Sequence, residues 1–371
     1  MLPLSSRLDG LVRSPIRRYT NLGRETPGCI LLTLGEPDLP TPEPICQAAC
    51  RALAAGMTHY APNQGLLSLR QAIAAREGCR PEQVLITQGA TGALFTALLG
   101  ILNPGDEVIV PTPAFNLYET IIRIAGGVAV PLPLQSWGYQ ISEQALADCI
   151  TPRTRAILLN SPNNPTGAVL SDASLAAVKA AVTGREIYVV CDEVYRALSY
   201  GPCPRLWGDP ELAGQLLLCQ SFSKPYAMTG WRVGYLAAPE ETIQRLLLLH
   251  AAEVAAVPTF LQEACVAALE VDTGPIRDIY RARRDALCSR LDRMGLTYPA
   301  PMGAFYVFAD ISRFDPDDDR FCLELIRRAG VAAVPGSCFG APGHIRLSYA
   351  CSMESLREAA DRMERFFSRQ D

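Results

Sequence analysis

Between residues 84 and 237, short aliphatic runs alternate with stretches of helical spacing. The runs are Val84–Thr87, Glu107–Val110, Ala156–Leu159, Ile187–Val190, Leu216–Cys219 and Val233–Leu236. Nearly unbroken apolar runs of this length predict strands buried on both faces. The intervening helical patterns, Ala93–Leu102 and Ser171–Val182, then predict a mostly parallel sheet covered by helices, an α/β layer fold. Ser171 is placed to cap the second helix, with Asp172 in its first turn, where the helix dipole favours an acid.

After residue 237 the texture changes. A helical stretch runs from Pro239 to Met294, interrupted near Val257-Pro258 and near Thr273-Gly274-Pro275. Two strand candidates, Ala304–Phe308 and His344–Ser348, flank a predicted helix at Leu323–Ala329, giving a small α+β unit. The acidic run Asp315-Pro-Asp-Asp-Asp319 reads as an exposed loop, and the basic cluster Arg281–Arg284 as the solvated face of a helix.

Composition narrows the function. A chain of 371 residues with 49% apolar residues has room for two domains and a large core. Lys and Arg (34) nearly balance Asp and Glu (38), so nothing draws the chain to nucleic acid. Arg7, Asp9 and Arg13 interrupt the segment where a secretory signal needs an apolar run, and no uncharged apolar run reaches the ~20 residues that span a bilayer. A soluble, cytoplasmic protein without membrane or nucleic-acid partners is expected. The 13 cysteines are odd in number and lack Cys-x-x-Cys spacing, so they read as reduced and buried thiols. His59, His250 and His344 are scattered, and no metal site is expected.

The stretch Ser221-Phe-Ser-Lys-Pro-Tyr-Ala-Met-Thr-Gly-Trp-Arg232 carries the chemistry. Strand-like runs on both sides place Lys224 in the interior, where burial and nearby cations lower an amine's pKa and make it a nucleophile toward carbonyls. Ser221, Ser223 and Arg232 beside it suit a phosphate dianion. An aldehyde held as a Schiff base and a phosphate are the two functional groups of pyridoxal 5'-phosphate. Four other positions fit such a ligand. Asp192 follows a buried strand, Asn164 lies in a turn after another, Gly89-Ala90-Thr91-Gly92 opens a helix, and Arg346 sits in an apolar strand. Taken singly, these admit structural readings: a chance acid, a plain turn, a ligand-free glycine turn and an internal salt bridge.

Eight segments in one order resemble the class I/II aminotransferases, the fold-type I pyridoxal-phosphate enzymes. They are Leu34-Gly-Glu-Pro-Asp38, His59-Tyr-Ala-Pro-Asn-Gln-Gly65, Thr87-Gln-Gly-Ala-Thr-Gly92, Pro111-Thr-Pro-Ala-Phe115, Asn160-Ser-Pro-Asn-Asn-Pro-Thr-Gly167, Cys191-Asp-Glu-Val-Tyr195, the lysine segment, and Ile345-Arg-Leu-Ser-Tyr349. The resemblance implies a large domain (residues 45–265) built on a mostly parallel seven-stranded sheet flanked by helices. It also implies a smaller α+β domain formed by both chain ends, residues 1–44 and 266–371.

The resemblance further implies a homodimeric aminotransferase that moves an amino group between an L-amino acid and a 2-oxo acid through a Lys224 Schiff base. Catalysis falls to Lys224, Asp192 and Tyr195, with Asp192 on the cofactor's ring nitrogen and Asn164 and Tyr195 on its ring oxygen. Phe115 stacks on the ring. The main-chain donors of Ala90 and Thr91 join Ser221, Ser223 and Arg232 on the phosphate, and Tyr60 reaches the phosphate of the neighbouring subunit. Arg346, with Asn164 and the backbone of Gly35, holds the substrate carboxylate. A carbon–sulfur β-lyase or a decarboxylase on the same scaffold is the alternative. A transcription regulator built on such a domain is disfavoured, because the Gly35 segment begins too near Met1 to leave room for a DNA-binding domain.

Overall fold

Each apolar run forms a strand, and most continue past the apolar residues. In chain order the strands are β1 (Ile30–Leu31), β2 (Val84–Thr87), β3 (Glu107–Thr112), β4 (Val128–Pro133), β5 (Thr154–Asn160), β6 (Tyr188–Asp192), β7 (Leu216–Ser221), β8 (Gly234–Ala237), β9 (Tyr306–Asp310), β10 (Val331–Ala332), β11 (Val334–Pro335) and β12 (His344–Ser348). The computed structural model describes residues 2, 4, 5, 8, 9, 11 and 14–368, the side chain of Trp137 excepted. Arg7 and Arg13, invoked against a secretory signal, lie outside the described residues.

Seven strands form one sheet in the order β2-β8-β7-β6-β5-β3-β4. β4, β3, β5, β6 and β7 run parallel, and β8 is antiparallel to both its neighbours, β2 and β7. The sequence pattern did not announce β4, because Pro131 and Pro133 dilute it. Proline lacks the N–H that a central strand must donate, and β4 is accordingly an edge strand. The polar residues that end β5, β6 and β7 are Asn160, Asp192 and Ser221. In parallel sheets such carboxyl ends open onto the ligand crevice.

A second sheet, β11-β12-β9, is antiparallel, and Arg346 of β12 pairs in register with Phe308 of β9 and Val334 of β11. β1 pairs with β10, Ile30 opposite Val331. That pairing brings an N-terminal segment into one core with residues from the C-terminal part, including Tyr19, Leu32, Tyr280, Phe305, Leu347 and Met363. The stretch after residue 237 divides as expected, into helices Glu240–Val254, Thr259–Leu269 and Gly274–Arg293. All thirteen cysteines are free, but only Cys191, Cys219, Cys265 and Cys322 are buried, and Cys50 is exposed.

Two expectations fail for the same reason: charge runs were read as solvated. Helix Asp318–Glu324 starts inside the acidic run, with the Asp317 carboxylate accepting from the Arg320 N–H at 3.0 Å. Buried Asp318 accepts from the Ser337 N–H at 2.8 Å. Acids concentrate there because the helix N-terminus presents unpaired N–H groups. In the basic cluster, Arg283 is buried against Asp38 rather than solvated.

The turn after β6 is braced by a buried ionic cluster. Glu77 ends helix Leu67–Glu77 and accepts from Arg196 at 3.0 Å, Arg205 at 2.9 Å and the Tyr235 hydroxyl at 2.7 Å. Burial alone would raise its pKa, but Arg196, Arg205 and Tyr235 hold it down, to about 2 against an ordinary 4.5. A depressed carboxylate stabilises the fold above its ordinary pKa and stops doing so as pH falls through its folded value. Stability should therefore decline as pH drops from about 4.5 toward 2. Glu77→Gln, which leaves two arginines under-compensated, should cost about 3–5 kcal/mol in denaturant unfolding at pH 7 and flatten that acid limb.

Candidate active site

The crevice at the strand ends is built around three charged groups, Asp192 and Arg346 buried and Lys224 half-buried, each against its electrostatic interest. Asp192 closes β6 and is 4% exposed. It accepts from the Tyr118 hydroxyl at 2.6 Å and from the Val194 N–H at 3.3 Å. Burial pushes its carboxyl up to about 6, against the opposing pull of Tyr118, the Val194 N–H and Lys224. Tyr118 is fixed on helix Leu117–Ile124, and its ring meets Phe115 edge-on at 5.8 Å. Half-buried Phe115 borders a cleft of about 610 Å³ that is also lined by Thr112 and Phe339.

Lys224 follows the end of β7. Its Nζ donates to the Gly35 carbonyl at 2.6 Å. Burial lowers its pKa to about 8; Glu36 opposes this, and Arg232 and Arg346 add to it. Ser221 Oγ lies 2.8 Å from Ser223 Oγ and accepts from the Ser223 N–H at 3.0 Å. Ser221 pairs in register with Gly234. A Cβ at Gly234 would lie 2.6 Å from the Gly89 carbonyl carbon and 2.8 Å from the Ala90 nitrogen. A Cβ at Gly89, whose φ is +66°, would lie 2.9 Å from the Arg232 guanidinium. Glycine at both positions therefore lets the start of helix Gly89–Ile101 approach the serines and Arg232. The first N–H groups of a helix lack partners within it, so Ala90 and Thr91 bring main-chain donors to a cationic, hydroxyl-lined recess.

Arg346 is 2% exposed. Its guanidinium donates to Asn164 Oδ1 at 2.9 Å and to the Thr33 carbonyl at 2.7 Å, while Nε has no partner. The rings of Tyr306 and Phe339 flank it at 4.5 and 4.9 Å. Among the described residues no carboxylate pairs with it, so the salt-bridge alternative is not realised. Asn164 is itself held by its N–H on Asn160 Oδ1 at 2.9 Å, and Asn160 Nδ2 donates to the Asp192 carbonyl at 3.0 Å. The Tyr195 hydroxyl lies 3.0 Å from that of Tyr306, and burial first, then Tyr306, pushes it well above an ordinary phenol. It stays protonated and able to donate.

The structure thus gathers Gly35, Ala90, Phe115, Asn164, Asp192, Tyr195, Ser221, Ser223, Lys224, Arg232 and Arg346 around one crevice. Thr91 is exposed on the adjoining helix turn. Tyr60 is 92% exposed and shares no hydrogen bond with this group. Sequence reasoning overlooked Tyr118, Tyr306 and the Thr33 carbonyl. Tyr118 was within reach, one turn past Phe115, whose carbonyl accepts from the Tyr118 N–H at 3.1 Å; Tyr306 needed the β9–β12 pairing. One further signal went unused: the chain has two lysines, Lys179 and Lys224, against 32 arginines.

Residues 27–363 match the family described as aminotransferase class I and II. The chain belongs to that family. It is 37% identical over 365 residues to a probable N-acetyl-LL-diaminopimelate aminotransferase of Bacillus subtilis, covering 95% of this chain and 93% of that one. It is 40% identical over 366 residues to an aspartate/prephenate aminotransferase of Thermus thermophilus, covering 94% and 93%. A solved aspartate aminotransferase from Thermus thermophilus, with maleate, superposes with a TM-score of 0.93 at 38% identity, covering 98% of this chain and all of that one. The protein is an aminotransferase of the fold-type I architecture.

Aminotransferases of this family depend on pyridoxal phosphate, and the chemistry of the residues lining the crevice fits it. The glycine-lined recess takes a phosphate, Asp192 offers a buried carboxylate to a protonated ring nitrogen, and Lys224 is an amine of lowered pKa. A ring-nitrogen proton favours ionised Asp192, so cofactor affinity should be full above about pH 6 and fall as pH drops through it. Because the Tyr118 hydroxyl lowers the Asp192 pKa, Tyr118→Phe should move this limb to higher pH. Asp192→Asn should abolish it, as measured by fluorescence titration of the cofactor-free aminotransferase.

Proposed function

We propose that this aminotransferase carries pyridoxal phosphate on Lys224 and transfers the amino group of an L-amino acid to a 2-oxo acid. The observation that carries the reading is Arg346: a guanidinium buried without a carboxylate, its Nε unpaired, on the Asn164 that also faces the ring site. Such a cation is costly unless an anionic ligand completes it. A substrate α-carboxylate does so, with the backbone of Gly35 beside it.

Ser221, Ser223, Arg232 and the N–H groups of Ala90 and Thr91 would hold the phosphate, Phe115 would lie against the ring, and Asn164 and Tyr195 would donate to its oxygen. Asp192 keeps the ring nitrogen protonated. Bound there, the cofactor supplies the electron sink that makes a Cα proton removable. Lys224 Nζ would take that proton as general base and hand it back. Its pKa near 8 suits both directions at neutral pH. Tyr60 reaches the phosphate site of a second subunit in a homodimer, which accounts for its exposure. We divide the chain into a large domain, residues 45–265, and a small domain, residues 1–44 with 266–371; the seven-stranded sheet lying within the first and the two smaller sheets within the second support this. No described helix is long and apolar enough to cross a membrane, and we assign the protein to the cytoplasm.

Incubation with single amino acids and no oxo acid tests the reaction. Transamination yields oxo acid and the cofactor's amine form in equal amounts; a β-lyase yields ammonia and pyruvate, and a decarboxylase yields carbon dioxide. Lys224→Ala should lose amino transfer while the fold persists, and borohydride should fix the cofactor to the Lys224 peptide in the unaltered protein. Label on Lys179 instead would overturn the assignment.

Arg346→Ala should weaken carboxylate-bearing substrates by about 2–5 kcal/mol in kcat/KM and simple amines little. Side-chain preference follows from Thr91, a neutral hydroxyl where some aspartate-preferring members of the family carry a lysine. A distal carboxylate buried there finds no cation from this turn, so methionine and phenylalanine should compete well with aspartate. A kcat/KM advantage for aspartate above about tenfold, ~1.4 kcal/mol, would refute the preference.

A further inference from the structure

Segment 33–41 is fastened to the lysine loop at three points. The Gly35 carbonyl accepts Lys224 Nζ at 2.6 Å, the Glu36 carboxylate accepts the Thr229 hydroxyl, and the Thr41 hydroxyl donates to the Ala227 carbonyl at 2.7 Å. From the other side, Arg283 on helix Gly274–Arg293 donates to both oxygens of Asp38, at 2.7 and 2.8 Å. The Arg283 side chain is 7% exposed and that of Asp38 26%. The Tyr280 ring lies beneath the guanidinium at 5.4 Å. A planar guanidinium joined to a carboxylate at two points fixes orientation as well as distance. Neither residue is among those placed around the cofactor or substrate.

We propose that Asp38 and Arg283 form a positioning pair, which braces segment 35–41 from behind so that the Gly35 carbonyl stays in place to receive the Lys224 amine whenever that nitrogen is free. This rests on Lys224 being the cofactor lysine, but its test does not. The charges acting on Lys224 are Glu36 and Asp192, which favour its ammonium form, and Arg232 and Arg346, which oppose it. Only Glu36 rides on the braced segment, together with the Gly35 carbonyl. Exclusion of water is the largest cause of the lowered Lys224 pKa, so while Nζ stays enclosed, loosening the segment withdraws two groups that favour the ammonium and leaves the arginines where they are. Lys224 becomes easier to deprotonate.

Because the chain has two lysines, this can be read directly. Trace acylation of the cofactor-free full-length protein, followed by peptide mass analysis across pH, reports the titration of Lys224. Lys179, bound to Asp209 at 2.7 Å and to Glu211, serves as the internal reference. In Asp38→Asn and in Arg283→Lys, which keeps the charge but loses the fork, the Lys224 midpoint should fall by about one pH unit. At pH 7 a fall from about 8 to about 7 raises the free-amine fraction, and with it the acylation rate, about fivefold, with Lys179 unchanged. Asp38→Glu, which keeps the carboxylate, should lie nearer the unaltered protein. An unmoved Lys224 midpoint in either folded variant, or an equal movement of Lys179, overturns the proposal. Loss of the fold in both variants also overturns it, since the pair would then be structural.

Discussion

The burial of Arg346 without an acid is the constraint around which the site is arranged. A lone guanidinium in the interior forfeits several kcal/mol of hydration, and this one recovers part of it from neutral groups only. The Thr33 carbonyl, Asn164 Oδ1 and the faces of Tyr306 and Phe339 surround it. They come from the N-terminal segment, the turn after β5, strand β9 and the turn after β11. Four separate parts of the chain thus converge on a charge they do not neutralise. That deficit is what an incoming carboxylate can relieve, and it turns an expense of folding into affinity.

Lys224 and Asp192 obey the same logic with opposite signs. Burial drives the amine pKa down and the carboxyl pKa up, so both drift toward neutrality in the absence of a ligand. On the proposed reading, a charged ring nitrogen against Asp192 and an anionic phosphate beside Arg232 would reverse part of that drift. The dipoles needed are already oriented: Tyr118 and the Val194 N–H on Asp192, the Gly35 carbonyl on Lys224, Tyr306 beside Tyr195. Groups held in advance need little reorganisation when charge moves during reaction, the condition under which electrostatic stabilisation is most effective.

What the sequence disclosed and what it withheld divide along the range of the interactions. Strands β2, β5, β6 and β7 were legible because burial on both faces demands unbroken apolar runs, and the candidate site residues stood out because they sit where those runs stop. β4 was not, since an edge strand tolerates the prolines that hide it. Asp318 and Arg283 look in sequence like members of solvated charge runs. Each is buried by a partner far along the chain, Ser337 and Asp38 respectively, and no local pattern reveals such a partner. Tyr306 belongs to this class as well, because its role depends on β9 lying beside β12.

Segment 33–41 ties these observations together. Its first residue gives a carbonyl to Arg346, its third gives one to Lys224, its sixth is gripped by Arg283, and its last donates to the lysine loop. On the proposed reading, the cation that would bind a substrate carboxylate and the amine that would transfer the proton share one short stretch of backbone, with an ion pair as its outer anchor. A carboxylate that draws on Arg346 acts on a residue two positions from the carbonyl that receives the Lys224 amine. Substrate recognition and the placement of the base are thus joined through two peptide units rather than through the body of the protein, and a brace at Asp38 is needed because so short a connection carries slack as readily as it carries force.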